Sequence, residues 1–409
     1  MSYLGSLKAT IADGPNLDAF SRLRVSNPAP LHEGQFTYNL LPYRFEAITN
    51  GSGAAVSHDT TNRCALFTLA SSPTGSYAGM QTYEFFRYQP GRSQTVFITF
   101  GMVESLDNVV KYAGYSDGTN GIEFQVTGAA PIASFNILSG TTLGNQQVNQ
   151  ANWNLDKLDG TGKSGKTLDI SRAQILVIDL QALYVGRVRC GFDIGGEIVY
   201  CHEFNHANLI ASTYIQYASL PIRAGMRCTG TVSTTMRFIC SSVMSEGGTV
   251  DFQGFPASQD LTVTAGNETW THAISIRPKT TFGGFVNRSP MSLYSLEGLV
   301  TGANPIEYRI VAGQAITGTT GFTSVGTKSS FEYNTAGTIS GAADLIIESG
   351  FIAASNTVKG QISTKTFQRV PITLDAAGNQ RLNGTISLIV KGIAGASACQ
   401  FAVNWLELR

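Results

Sequence analysis

VRCGFDIGGEIVYCHEF (188–204), running on into NHANL (205–209), carries two competing readings. Read from its middle, Gly195-Gly196 is the signal of a two-residue hairpin turn, because both turn positions need positive φ. Ile194 then faces Glu197, Phe192 faces Val199, Cys190 faces Cys201 and Arg189 faces His202. Val188, Cys190, Phe192, Val199 and Cys201 fall on one mostly apolar face. Arg187, Arg189, Asp193 and His202 fall on the other, with Ile198 and Tyr200 as exceptions. This is the alternation of a half-buried antiparallel pair. Read from its end, His202-Glu203-Phe204-Asn205-His206 spells H-E-x-x-H, the zinc-peptidase signature. A zinc site needs both imidazoles within about 2.1 Å of one ion, and a helix achieves this because positions four apart share a face. On a strand, a rise of about 3.3 Å per residue separates the two rings by roughly 13 Å. The longer zinc motif has Gly and His where this chain has Leu209 and Ser212, and the next acid after Glu203 is Glu246. The strand reading therefore decides the fold class as all-β and names no metal ligand.

The rest of the chain agrees with strands joined by turns. It has 409 residues and 44 glycines, and no Lys-Glu-Ala-rich helical stretch interrupts its Ser, Thr and Asn. QTVFITFGMV (94–103), GIEFQVTG (121–128), PIASFNIL (131–138), QILVIDLQ (174–181) and TTMRFICSSVMS (234–245) read as strands. So do HAISIRP (272–278), IEYRIVAG (306–313), DLIIESGFIA (344–353), RVPITLD (369–375), TISLIVKG (385–392) and CQFAVNWLEL (399–408). HANLIASTYIQ (206–216) is the one segment patterned like a short helix. Turn residues cluster in SEGGTVDFQGFPAS (245–258), which places a domain boundary there. The expected organisation is an extended N-terminal arm (1–45), a β-sandwich domain (46–250) and a second β-sandwich or jelly-roll-like domain (251–409). No fixed-period repeat favours a propeller or β-helix.

Charge narrows the function classes. Lys plus Arg and Asp plus Glu each number 28, so the net charge is zero, and charged residues are only 14%. A nucleic-acid partner is not expected, because phosphate binding normally requires a basic excess. A low-charge, neutral surface promotes association. No apolar run approaches a membrane span. The first residues, MSYLGSLKATIADGP, lack a signal-peptide layout, so free thiols are the default for Cys190/Cys201 and Cys228/Cys240 as for the other cysteines.

A second motif competes with the bland reading. GTGKSGKT (160–167) fits the phosphate-binding G-x-x-x-x-G-K-[ST] pattern, with Lys166 and Thr167 in the phosphate and magnesium positions. That site needs a strand before it and a helix opening from its end. Upstream is polar NQANWNLDKLD, and downstream only LDISRAQ separates Thr167 from the next strand. A surface loop is expected, with no cofactor. YEFFRY (83–88) could stack on sugar, but strand aromatics usually build core. His32, His58 and His272 stand apart without a nucleophile pattern, and no catalytic residue is named. In the arm, Asp18, Phe20, Arg22 and Arg24 of DAFSRLRVSNP are the candidate assembly residues, with Arg22 and Arg24 expected to anchor the arm on a neighbouring surface.

LDAFSRLRVSNPAPL (17–31) is similar to a stretch near the N-terminus of a family of tailed-bacteriophage virion proteins. The similarity continues in YEFFRYQPGRSQTVFITF (83–100), WNLDKLDGTGKSGKTLD (153–169), AQILVIDLQALYVGRVRCGF (173–192), CHEFNHAN (201–208) and SEGG (245–248), and more weakly in SIRPKTTF (275–282). The resemblance implies a structural component of a tail, neck or head-surface appendage, with no catalytic residues to carry over. It implies that HEFNH and DGTGKSGKT are framework. The partners it suggests are further copies of the chain, a trimer being one arrangement, and other virion proteins, assembled in the host cytoplasm. Two alternatives stand beside it: a glycan- or receptor-binding adsorption module, and a zinc hydrolase acting through HEFNH.

Overall fold

The computed structural model describes residues 13–217, 219–247, 254–318, 321–354, 360–361 and 371–408. The first twelve residues of the expected arm lie outside that set. The chain is all-β. Among the described residues the helical elements are single 3-10 turns at Gln150–Asn152 and Leu382–Gly384, and no helix is long and apolar enough to cross a membrane.

The chain divides into two compact units. One takes in 1–41, 47–80 and 86–249, and the other 42–46, 81–85 and 250–409. Among the described residues, fifteen strands precede residue 250. They are β1 (Ala29–Gln35), β2 (Phe45–Asn50), β3 (Ala54–Asp59), β4 (Cys64–Ser72), β5 (Tyr77–Thr82), β6 (Ser93–Gly101), β7 (Val109–Ser116) and β8 (Gly121–Thr127), followed by β9 (Ile132–Leu138), β10 (Gln146–Asn149), β11 (Ala173–Gln181), β12 (Val188–Asp193), β13 (Ile198–Phe204), β14 (Ile222–Cys228) and β15 (Val232–Ser245). One sheet runs β13-β12-β11-β6-β15-β4-β3, with β1 also paired to β15, and the other runs β10-β9-β8-β7-β14-β5-β2. The expected arm is thus part strand: Ala29 to Gln35 pair with Ser245 to Cys240.

The two sheets meet through aromatic rings from alternate strand positions. Phe124 of β8 lies 5.9 Å from Phe100 of β6 and 5.0 Å from Phe192 of β12. Phe135 of β9 lies 5.8 Å from Phe192 and 4.6 Å from Trp153. Each such ring buried contributes about 1.5–3 kcal/mol relative to exposure, so this layer outweighs any surface ion pair.

The hairpin at 188–204 begins as the sequence dictates and then departs from it. Gly195 and Gly196 have φ of 70° and 83°, the Ile194 amide donates to the Glu197 carbonyl at 3.0 Å, and Phe192 faces Val199. A β-bulge then shifts the register, so that Cys190 faces His202 and Arg189 faces Glu203. Cys201 is the extra residue. The expected Cys190–Cys201 and Arg189–His202 oppositions are therefore corrected. The bulge turns His202 and Phe204 toward the buried face and Glu203 away from it. Gly191 is required here, because a Cβ at that position would stand 2.1 Å from the Val199 carbonyl oxygen.

HANLIASTYIQ is not a helix. After Phe204 the chain makes a single turn in which Leu209 and Ile210 amides donate to the His206 carbonyl. Asn208 then sits at φ 65°, which ends any helical run. Tyr214 and Ile215 insert into the core as loop residues.

The second unit has its own core. Phe255–Asn267, Ser397–Glu407 and Met291–Val300 form one antiparallel layer. Phe331–Asn334, Thr271–Pro278, Ile386–Gly392, Ile306–Ala312 and Leu345–Ile352 form another. A two-residue parallel contact at Gly266 and Asn267 joins them. Ile276, Leu293, Leu388, Phe401 and Trp405 belong to the packed interior. RVPITLD is not a strand over its described residues, 371–375. Its carbonyls are taken by a side chain: the Arg381 guanidinium donates to Pro371 O at 2.5 Å and Thr373 O at 3.0 Å. Ile372 and Leu374 are buried without a ladder.

Candidate functional site: an N-terminal clamp

The segment from Asp13 to Val25 folds into a compact turn against β11–β13. Asp18 builds the turn: its carboxylate accepts from the amides of Phe20 and Arg22 at 2.9 and 2.8 Å and from Arg22 Nε at 2.8 Å. The Asp18 amide donates to the Arg22 carbonyl, and Leu17 bridges Leu23. Leu17, Asp18 and Ala19 are buried, whereas the Arg22 guanidinium reaches outward over the Phe20 ring at 4.8 Å.

Side chains from the sheet and its connecting loop, joined by Arg24 of the turn itself, clamp this turn by its carbonyl oxygens. Leu17 O accepts from Arg189 Nη2 at 2.8 Å and Arg24 Nε at 3.2 Å. Ala19 O accepts from Gln181 Nε2 at 2.9 Å and Arg187 Nη2 at 2.9 Å. At the centre is Asp179 of β11, fully buried. Its Oδ2 accepts from Arg24 Nη2 at 2.7 Å, Arg189 Nη2 at 2.5 Å and the Tyr200 hydroxyl at 3.0 Å, while Oδ1 accepts from Ser93 Oγ at 2.8 Å. Arg24 also pairs with Glu246 at 3.3 Å, and Asp13 pairs with both Arg187 and Arg189. The Arg189 guanidinium stacks 4.2 Å over the Tyr200 ring.

Burial opposes a charge on Arg189, yet Asp179, then Tyr200 and Asp13, hold its proton affinity above the ordinary arginine value. Burial pushes the Tyr200 hydroxyl up, reinforced by Asp179. It also pushes Glu246 up, opposed by Arg24. Four separate stretches of the chain meet at this point. Asp18, Arg22 and Arg24 come from 17–31, Asp179, Arg187 and Arg189 from 173–192, Glu203 from 201–208 and Glu246 from 245–248. Of the expected arm residues, Arg24 is bonded within its own chain, Asp18 shapes the turn, and Phe20 and Arg22 lie at its outer side.

HEFNH does not converge on a point. Phe204 stands between the imidazoles, 4.5 Å from His202 and 6.5 Å from His206. His202 Nδ1 accepts from the Asn154 amide at 3.3 Å. His206 Nδ1 donates to Gly186 O at 3.0 Å, its Nε2 accepts from Gln146, and its ring stacks 4.2 Å on Tyr214. Burial pulls His202 down to about 4 and also lowers His206, so both are neutral framework rings. Among the described residues no group of three His, Cys, Asp or Glu is arranged to hold a metal. The six cysteines are free.

The phosphate-loop look-alike is filled from within. Asp156 accepts from the Leu158 amide at 2.9 Å and the Ser164 amide at 2.8 Å. A Cβ at Gly162 would lie 2.1 Å from the same carboxylate. The backbone nest that an anion needs thus already holds one. Lys166 is committed to Ile194 O at 2.6 Å and Glu197 at 2.8 Å, and no helix follows. In YEFFRY, Phe85 and Phe86 are buried, and Arg381 covers the Tyr83 ring at 3.5 Å.

A groove of about 510 Å³ lies on the second unit, on the outer side of the layer of Phe255–Asn267, Met291–Val300 and Ser397–Glu407. Asp260, Thr262, Glu297 and Gln400 supply its polar groups. Cross-strand register places Asp260 and Glu297 on either side of Ala402.

No family model matches the chain, and no curated protein matches it. Solved structures share its all-β architecture at a distance. An endo-1,3-β-glucanase from Streptomyces sioyaensis aligns with a TM-score of 0.39 and 11% identity, over 59% of this chain and 100% of that one. The Emp47p carbohydrate recognition domain aligns at 0.32 and 10%, over 55% and 99%. A legume lectin-like domain from Entamoeba histolytica aligns at 0.32 and 10%, over 55% and 100%.

Proposed function

We propose that the chain is a structural protein of a tailed-bacteriophage virion, assembling with further copies of itself and with other virion proteins in a tail, neck or head-surface appendage. One observation carries this reading. The sequence stretches similar to the virion family are scattered over more than two hundred residues, yet they supply the partners of a single clamp on the N-terminal segment. A framework of this kind fixes the course of the segment from Asp13 to Val25, which gives an assembly contact an ordered surface. The balanced, sparse charge supports association. The two motifs that suggested enzymes hold their groups against their own backbone and aromatic neighbours. Light scattering on the purified full-length chain tests it. A stable multiple of the monomer mass is expected, and a strict monomer at all concentrations counts against it.

A second reading, a glycan-binding adsorption module, rests on the groove lined by Asp260, Thr262, Glu297 and Gln400, since convergent carboxylate, amide and hydroxyl groups can hydrogen-bond sugar hydroxyls. A glycan array with Gln400→Ala as control decides it: reproducible hits lost in the variant support binding, and an empty array removes it.

A further inference from the structure

Lys111 lies on β7 and faces the interior of the first unit, where its side chain is 1% exposed. Its ammonium donates to Met102 O at 2.5 Å, Glu104 O at 2.7 Å and Thr235 O at 2.8 Å. An ammonium has three protons, and three carbonyls take them all. The acceptors all belong to the facing sheet or its immediate continuation: Thr235 is in β15, and Met102 and Glu104 follow β6.

The backbone is bent to make this cage. The Glu104 amide donates to Met102 O at 2.8 Å, closing a three-residue γ-turn, and Val103 at its centre has φ 66°. Left-handed backbone is rare for a β-branched residue, and a γ-turn of this hand is strained. A strained backbone persists only where its surroundings hold it, and such positions cluster at clamps, switches and binding sites. Here the turn delivers the Met102 and Glu104 carbonyls to one point. Thr234 Oγ1 donates to the Glu104 carboxylate at 3.2 Å, fixing the turn from outside. Burial lowers the Lys111 amine to about 8, with Glu104 opposing, so the ammonium is the main form at neutral pH.

We propose that the carbonyls of Met102, Glu104 and Thr235 form a cation-binding site of the primary-ammonium class, which the chain fills with its own Lys111. Backbone carbonyls that replace a cation's hydration shell bind cations by charge, size and number of donors. Three acceptors in a cone suit a primary ammonium at the end of an alkyl stem. A quaternary ammonium offers no proton to any of them.

The test uses the full-length chain with Lys111→Ala, which removes the atoms from Cγ to Nζ. n-Propylammonium restores that set. Thermal unfolding is followed in n-propylammonium, tetramethylammonium and sodium chlorides at equal ionic strength. The variant's midpoint falls, and n-propylammonium alone recovers more than half of the loss, saturably. An equal response in all three salts overturns the proposal, and so does a Lys111→Met variant as stable as the wild type. Where Lys111→Ala does not fold, reductive methylation of the native chain decides. Lys111 stays unmodified while the exposed Lys163 is dimethylated; modification of both at one rate overturns the assignment.

Discussion

Replacing Asp179 by Asn removes the hub of the clamp while leaving its shape. The carboxylate accepts four hydrogen bonds, from Arg24, Arg189, Tyr200 and Ser93. An amide keeps one acceptor oxygen and turns an N–H toward a guanidinium. Removing one partner of a buried ion pair costs about 3–5 kcal/mol. The lower end applies here, because Arg24 is 18% exposed and Arg189 keeps Asp13 at 2.7 Å and Leu17 O at 2.8 Å. About 3 kcal/mol, at about 1.4 kcal/mol per decade, raises the open population of the arm roughly a hundredfold. Trypsin reads this directly, since cleavage after Arg22 or Arg24 requires the turn to open. Asp179→Asn is expected to be cut there about a hundredfold faster, before any cut at Arg237 within β15. Arg172→Ala, which removes an ion pair exposed to water, is expected to change nothing. Wild-type cleavage rates in Asp179→Asn, with native circular dichroism retained, refute the clamp.

Other consequences follow from the same geometry. His202 and His272 are each lowered by burial to about 4, from 6.5, so the neutral rings belong to the native state. Their contribution is complete above pH 6.5 and is lost as pH falls toward 4, at about 3 kcal/mol each; His202→Gln should flatten the acid limb of urea-unfolding midpoints, and an unchanged limb contradicts the assignment. Gly191→Ala drives a Cβ into the Val199 carbonyl and is expected to cost about 1–3 kcal/mol by overpacking, read as a lower denaturation midpoint. With Asp156 seated in its own loop, calorimetry with Mg-ATP should show no heat of binding to the wild type, and stoichiometric binding contradicts that placement. Val103→Gly relieves a left-handed β-branched residue and is expected to leave stability unchanged or raise it by about 1 kcal/mol, read in the same denaturation series.

Much of the strand pattern was legible because period-two alternation and Gly, Pro or Asn punctuation are local signals, but Cys64–Ser72, Val109–Ser116, Ile222–Cys228 and Met291–Val300 were not read as strands. Gly195-Gly196 fixed the first pairs of the hairpin for the same reason. The bulge at Cys201 was not legible, because it is set by what the two faces meet: Arg189 and Tyr200 against Asp179 and the arm on one side, His202 and Phe204 against the core on the other. RVPITLD has strand residues, and only a distant Arg381 reveals that its carbonyls need no ladder. The strand Phe255–Asn267 was missed, since its first four residues fall in the turn cluster, its outer positions are polar and its core positions are few. The clamp was half legible. Asp18, Phe20, Arg22 and Arg24 stand out in the sequence, but as residues anchoring the arm on a neighbouring surface; the partners of Arg24, Asp179 and Glu246, lie 155 and more than two hundred residues away in the same chain, and no spacing rule joins them.

The central claim is that this chain is built into a particle. Its most direct test is quantitative mass spectrometry of density-purified virions of a phage whose genome encodes this sequence, after nuclease treatment and high-salt washing. Peptides from both units in a fixed ratio to the major coat protein, unchanged by washing, are the predicted result. Washed particles that retain full infectivity and contain none of this chain contradict it.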